Sequence, residues 1–221
     1  LSNELLFSRL GARTFAALRE DGVTVELRLE DEGSGLAAGR IVKARVSKVL
    51  PGIQSAFLDV GQERDAFLHV ADLLLPGEAA PFEPEEGPPE LDAVDDPDTW
   101  SPAAVWRRPR RNEVPEGPIQ DRLKPGRELV VQVAREGFGG KGPRVTCYLT
   151  LPGRYLVYAP QMCLRGVSRR IGDPVERQRL REILENLPET PGGFIVRTAG
   201  AGATAASFDA DARQLVGRWR E

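Results

Sequence analysis

Five short β-rich runs, separated by glycine-containing turns and one long interruption, restrict the middle of this chain to a small β-rich fold. The runs are 39–50, 53–60, 65–70, 128–135 and 144–149, with Pro51-Gly52 after the first and Gly61 after the second. Strands this short leave unpaired edges unless the sheet closes on itself, so five of them with Gly-rich turns predict a closed barrel of the OB type. Ahead of them, Val23, Val25, Leu27 and Leu29 alternate at period two and Asp21-Gly22 supplies a turn, so residues 13–29 read as a β-hairpin.

Between the third and fourth runs the pattern breaks. From about 76 to 118 lie ten of the 18 prolines, and Pro76 to Asp98 holds nine carboxylates with no Lys or Arg. Such a segment buries too little apolar surface to offset its ordering entropy, so a largely disordered insertion is expected. Its second half carries Arg107, Arg108, Arg110 and Arg111 with Trp100 and Trp106. These suit an auxiliary RNA-contacting arm, although a solvated linker with self-compensating charge accounts for them as well and is the favoured reading. The insertion also disguises the charge of the remainder. Set against the overall −3, the nine carboxylates leave +6 on the rest of the chain, a mildly basic balance suited to phosphate.

From Leu151 the periodicity changes. Residues 154–158 and 193–198 read as strands. Between them Asp173-Pro174 supplies an N-cap and a first-turn proline, and Val175, Leu180, Ile183, Leu184 and Leu187 make one apolar helical face. A last helix, about 205–220, aligns Phe208, Ala212, Leu215, Val216 and Trp219. The expected fold class is therefore α+β. It comprises an N-terminal hairpin segment (1–38), an OB-type barrel with a long insertion (39–150) and a small α+β domain (151–221).

Composition excludes several chemistries. Cys147 and Cys163 are too few for a disulfide framework or a four-thiolate zinc site and read as reduced, partly buried thiols. His69 is the only histidine, so a Ser-His-Asp triad would have to use it. Asp59, Asp65 and Asp72 read as structural carboxylates. No apolar run approaches the roughly 20 residues of a membrane span, and the polar start lacks a signal-peptide core, so a cytoplasmic protein without membrane contact is expected. With Leu1 first and Met162 the only methionine, a piece of a longer protein is expected. In the barrel, Phe57 and Phe67 fall on neighbouring strands. They could be core residues, or stacking platforms for bases with His69 and Lys141 as polar partners.

Several blocks then occur in one order. They are Leu50-Pro51-Gly52-Ile53-Gln54-Ser55-Ala56-Phe57-Leu58-Asp59-Val60-Gly61, followed by Ala66-Phe67-Leu68-His69, and the run from Gly140-Lys141-Gly142 to Thr150. After these come Leu151-Pro152-Gly153-Arg154-Tyr155-Leu156-Val157, Gly166-Val167-Ser168-Arg169-Arg170-Ile171, and Gly192-Gly193-Phe194-Ile195-Val196-Arg197-Thr198-Ala199-Gly200. Together they resemble the S-one RNA-binding domain and 5′-sensor region of the ribonuclease E/G family, covering nearly the whole chain apart from the insertion.

The resemblance implies that Phe57, Phe67, Lys141 and, as a helper, His69 contact single-stranded RNA. It implies that Arg197 and Thr198 bind a 5′-terminal monophosphate, aided by Arg169 and by the backbone at Val157 and Gly153. The chemistry is compatible: a terminal monophosphate carries about −1.5 to −2 charge and suits a guanidinium fork. The strand end at Arg197-Thr198 also runs into Gly200-Ala201-Gly202, a typical setting for an anion pocket. In the family the catalytic aspartates and the zinc-linking cysteines lie further on, and residues 1–38 belong to a ribonuclease H-like subdomain. The resemblance thus implies no catalytic residue, metal site or cofactor in this chain, with Mg and structural Zn expected in a full-length, homo-oligomeric, metal-dependent endoribonuclease. That enzyme would act in RNA processing and decay, including rRNA maturation and mRNA turnover. The alternatives are a stand-alone regulatory RNA-binding protein and an OB-fold protein–protein adaptor.

Overall fold

The computed structural model describes residues 3–11, 13–31, 36–78, 117–162, 165–168 and 170–221. The greater part of the proline-rich insertion, together with Cys163 and Arg169, therefore lies outside the described residues. The chain divides into two compact units, Leu1–Ala37 and Ala38–Glu221.

The first unit is a three-stranded antiparallel meander of β1 (Asn3–Leu10), β2 (Arg13–Glu20) and β3 (Val23–Asp31), in that order. The turn between β2 and β3 is the one expected. Asp21 and Gly22 both have positive φ, 48° and 83°, the requirement of a tight hairpin whose twist matches its strands. Strand β1 was not anticipated from the sequence. Leu6, Ala17 and Leu27 share one cross-strand row on it and its neighbours, and Ser8, Phe15 and Leu29 the next.

The second unit begins with the barrel. Strands β4 (Ile41–Leu50), β5 (Ser55–Asp59), β6 (Ala66–His69), β7 (Glu128–Arg135) and β8 (Arg144–Thr146) close in the order β4-β5-β6-β8-β7. Strand β4 spans two partners, pairing with β7 through Ile41–Arg45 and with β5 through Arg45–Leu50, and bulges between Val46 and Lys48. A bulge of this kind bends the strand around the barrel. The inward set is Ala44, Val46, Ala56, Leu58, Ala66, Leu68, Val131, Val133 and Val145, each 0–2% exposed. Small alanines alternate with leucines, as the taper of a narrow barrel demands. Each fully buried leucine contributes about 1.5–3 kcal/mol. Short helix α1 (Ile119–Arg122) adds buried Ile119, and its backbone N–H donates to Gln54 Oε1 at 3.0 Å.

The two described flanks of the insertion meet. Arg122, whose side chain is 7% exposed, pairs with Glu78 at 2.5 Å, and Glu78 also accepts from the Leu75 N–H at 2.8 Å.

After the barrel, a four-stranded sheet runs β11-β12-β10-β9, from β9 (Leu151–Pro152), β10 (Leu156–Ala159), β11 (Arg165–Val167) and β12 (Gly193–Val196). Helices α2 (Pro174–Glu185) and α3 (Ala205–Arg220) pack with it around Leu156, Tyr158, Leu180, Leu184, Phe194 and Phe208. The Asp173 carboxylate caps α2 by accepting from the Val175 N–H at 3.0 Å, as the sequence predicts. Two residues of the expected helical faces behave differently. Val175 is 77% exposed, because five residues separate it from Leu180 and place it about 140° around the helix from the apolar stripe. Trp219 shares the stripe's angle but sits in the last turn and keeps 39% exposure. No helix among the described residues is long and apolar enough to cross a membrane.

One buried amide joins barrel and sheet. Gln132 on β7 is 1% exposed, and its Nε2 donates to the carbonyls of Gly39 and Thr150, both at 2.8 Å. Its Oε1 accepts from the Thr150 N–H at 2.9 Å and from the Thr150 hydroxyl at 3.1 Å. Thr150 is the residue that leads into β9. Leaving a buried polar group unpaired costs about 1–3 kcal/mol. Gln132→Ala strands several at once and is expected to lower unfolding free energy by at least about 2 kcal/mol. Urea denaturation measures this, and a loss below about 0.5 kcal/mol, the size of an ordinary surface change, would contradict it.

Candidate nucleic-acid interface

Because Ala56, Leu58, Ala66 and Leu68 fill the barrel, Phe57 and Phe67 between them face outward. Phe57 and Phe67 are directly paired in register, half-buried, with ring centroids 6.0 Å apart in an edge-to-face arrangement at 71°. They are therefore not core residues. The row continues on both sides: Lys48 on β4 is opposite Phe57, and Arg144 on β8 is opposite Phe67. Two rings flanked by two cations form a band across four strands, with Lys48 exposed.

The other sequence-predicted residues sit beside this band. His69 ends β6, and its Nδ1 accepts from the Ala71 N–H at 3.1 Å, capping a short 3-10 turn. This assigns the ring hydrogen to Nε2 in the neutral form. Asp72 in that turn is paired with Arg144. Burial raises its carboxyl above the usual range, opposed by the charge and hydrogen bond of Arg144. Asp59 accepts from the Gly61 N–H at 2.9 Å and shapes the β5–β6 turn. Lys141 is exposed on the loop between β7 and β8. That loop packs tightly on the start of β6: a Cβ at Gly142 would fall 1.9 Å from the Asp65 carbonyl oxygen, so only glycine fits. Cys147 is 2% exposed, and burial pushes its thiol up to about 12, which makes it an inert core residue. Among the described residues, no group of three or more His, Cys, Asp or Glu is placed to hold a metal ion.

A second constellation lies at the end of β12. Arg197 Nη1 donates to the Gly153 carbonyl at 2.5 Å, and the Arg197 N–H donates to the Tyr155 carbonyl at 2.8 Å. Thr198 is exposed and opens a 3-10 turn through Gly200. The structure therefore brings Arg197, Thr198 and Gly153 together. Val157 lies two pairs from the strand end, opposite Ile195, with its side chain 3% exposed. Arg169 falls outside the described residues.

The residues that hold this second site escaped sequence reasoning. Asp211, in the middle of α3, is 8% exposed and accepts from the backbone N–H groups of Arg154, Tyr155 and Leu156 at 3.2, 2.7 and 2.9 Å. A Cβ at Gly153 would lie 2.5 Å from its Oδ1. Asp211 thus fills a cup of amides and fixes the loop whose carbonyl orients Arg197. Glu176 makes a bidentate pair with Arg179, both contacts at 2.7 Å, and accepts from the Gly202 N–H at 2.8 Å. Arg179 also donates to the Ala203 carbonyl at 3.0 Å. This pair ties the turn after Thr198 to α2. An i,i+3 charge pair was visible in the sequence, but its attachment to a loop 26 residues away was not.

A closed five-stranded barrel of the OB type leading into a small sheet-and-helix domain is an α+β architecture. Comparison with known proteins assigns its lineage. Residues 150–221 match the model of the ribonuclease E/G family. The chain is 35% identical to Ribonuclease G of Haemophilus influenzae over 218 residues, 99% of this chain and 39% of that protein. It is 33% identical to Ribonuclease G of Escherichia coli over 219 residues, 99% of this chain and 40% of that protein. Identity to Ribonuclease E of Haemophilus influenzae is 32% over 197 residues, 88% of this chain and 18% of that protein. The chain belongs to the ribonuclease E/G family and spans about two fifths of the length of these Ribonuclease G relatives.

The Arg179 fork, followed by the Gly202 N–H, holds the Glu176 carboxyl down from 4.5 to about 2. Its folded value is depressed, so its contribution is complete above about pH 4.5 and is lost as pH falls through about 2. The amide resonance of Gly202 is expected to titrate with a midpoint near 2, and Glu176→Gln to abolish that titration. A midpoint near 4.5 would show that the pair does not hold the turn in solution.

Proposed function

We propose that this chain is the substrate-selecting region of an endoribonuclease of the E/G family. It binds single-stranded RNA across the outer face of the barrel and grips a 5′-terminal monophosphate at Arg197 and Thr198. The observation that carries the reading is the outward Phe57–Phe67 pair bracketed by Lys48 and Arg144. Rings offer stacking that tolerates any base, and the flanking cations follow the phosphates. A buried pair of phenylalanines would have supported only packing. At the second site, the one side-chain hydrogen bond of Arg197 among the described residues goes to the Gly153 carbonyl, which leaves further guanidinium N–H groups for a ligand, and the next residue, Thr198, is exposed. A fork held from one side is a receptor for phosphate oxygens. His69 supplies an Nε2–H donor beside the rings, and Lys141 a phosphate contact from its loop. Arg169 and the backbone at Val157 complete the proposed 5′ site.

The same reading places residues 1–38 in a ribonuclease H-like subdomain and puts Mg and structural Zn in parts of the enzyme outside the matched region. It makes the whole protein a cytoplasmic homo-oligomer acting in rRNA maturation and mRNA turnover.

Two measurements test the proposal. In the first, Phe57→Ala and Phe67→Ala each weaken single-stranded RNA binding by about 1–3 kcal/mol while melting temperature stays near wild type. Loss of binding only in step with unfolding would reduce the rings to packing. In the second, an oligoribonucleotide with a 5′ monophosphate binds about tenfold more tightly than its 5′-hydroxyl twin, about 1.4 kcal/mol. Arg197→Lys removes most of that difference because an ammonium lacks the fork. A 5′ triphosphate that binds tighter still, in proportion to charge, would leave only a general RNA-binding surface, and salt-insensitive binding would favour a protein–protein adaptor.

A further inference from the structure

Phe138 is the most exposed large apolar side chain among the described residues, at 88%. It sits in the loop between β7 and β8, within Gly137-Phe138-Gly139-Gly140-Lys141-Gly142. Four glycines in six residues suggest slack, but the geometry is tightly specified. A Cβ at Gly137 would lie 2.6 Å from the Lys141 carbonyl oxygen, and Gly142 is pressed against Asp65. Gly139 and Gly140 take φ of +58° and +78°, and the Lys141 N–H donates to the Phe138 carbonyl at 3.1 Å. The ring of Phe138 and the ammonium of Lys141 therefore leave the same four-residue turn.

The loop is also tied to the aromatic band. Just beyond it, the Pro143 carbonyl accepts from the Phe67 N–H at 2.8 Å, and Arg144 faces Phe67 in register. The path from Phe138 to Arg144 thus runs alongside the strand that carries Phe67. Lone exposed apolar residues are ordinary on protein surfaces. An aromatic ring paired with a cation in a pinned turn, at the margin of two further rings bracketed by cations, is a more particular arrangement. It repeats the chemistry of one nucleotide: a flat base and a phosphate.

We infer that Phe138 is a third base-stacking platform, extending the barrel's single-stranded RNA track by one nucleotide, with Lys141 meeting the adjoining phosphate. The inference rests on the reading of the Phe57–Phe67 face as an RNA surface. Duplex RNA keeps its bases stacked and cannot place one on a loop-tip ring, so the platform serves single strands only.

The test uses the full chain and fluorescein-labelled oligouridylates of 4, 8 and 12 nucleotides, with binding read by anisotropy. Phe138 contributes nothing to the core, so Phe138→Ala keeps the wild-type melting curve. It is expected to weaken the 12-mer about tenfold and leave the 4-mer nearly unchanged, and Phe138→Trp is expected to restore the loss. Quenching of a 2-aminopurine base in the 12-mer is expected to fall in Phe138→Ala. Wild-type affinity of Phe138→Ala at every length, with Phe57→Ala weakened, overturns the platform and leaves the RNA surface standing. Absence of single-stranded RNA binding by the wild-type chain overturns both. An equal loss at all three lengths would mean that the ring supports the loop instead of a further base, and also overturns the inference.

Discussion

Closure of a five-stranded barrel leaves very little choice about where side chains go. A strand five residues long has two faces, and a barrel this narrow admits only small and branched apolar groups on the inner one. Once Ala56, Leu58, Ala66 and Leu68 fill the interior, Phe57 and Phe67 must stand outside. The antiparallel register then sets them side by side, and the partners in β4 and β8 contribute Lys48 and Arg144. The candidate RNA face is thus a by-product of filling the barrel.

Polar side chains do the corresponding work where the chain leaves the barrel and in the sheet-and-helix part that follows. Gln132 satisfies both its donors and its acceptor on Gly39 and Thr150, which fixes the departure of the chain from the barrel. Asp211 occupies three amides with one carboxylate and so shapes the loop that aims Arg197. Glu176 and Arg179 hold the turn beyond Thr198. Each is a short side chain or charge pair in which a change of one atom type removes several hydrogen bonds together. These supports are separate from the groups proposed to touch RNA, so binding and folding can be distinguished by mutation.

Charge follows the same division. A net charge of −3 describes the whole chain poorly, because nine carboxylates are concentrated in the proline-rich insertion. The described residues on either side of the greater part of that insertion are joined by Arg122 and Glu78. What remains carries the positive balance that a phosphate-binding surface needs.

Much was legible in the sequence because it is encoded locally. Short β-rich runs set off by Pro51-Gly52 and Gly61 marked the barrel strands, period-two alternation and Asp21-Gly22 the hairpin of β2 and β3, Asp173-Pro174 the start of α2, and the ordered blocks the family. The extra strands β1, β9 and β11 carried no comparable signal, since two- and three-residue strands are too short to show a period and β1 places apolar groups on both faces. Alternation states that two faces differ but not which one is inside, and so Phe57 and Phe67 could be read either way until the barrel closed. Val175 looked apolar enough for the core, yet its angle on the helix put it in water. Asp211 and Glu176 resembled ordinary surface acids, because their partners are brought to them from 55 and 26 residues away. Local chemistry determined the elements and their ends. Contacts between distant segments decided which side chains face the solvent and which hold the site, because only closure of the barrel and docking of the helices choose a side.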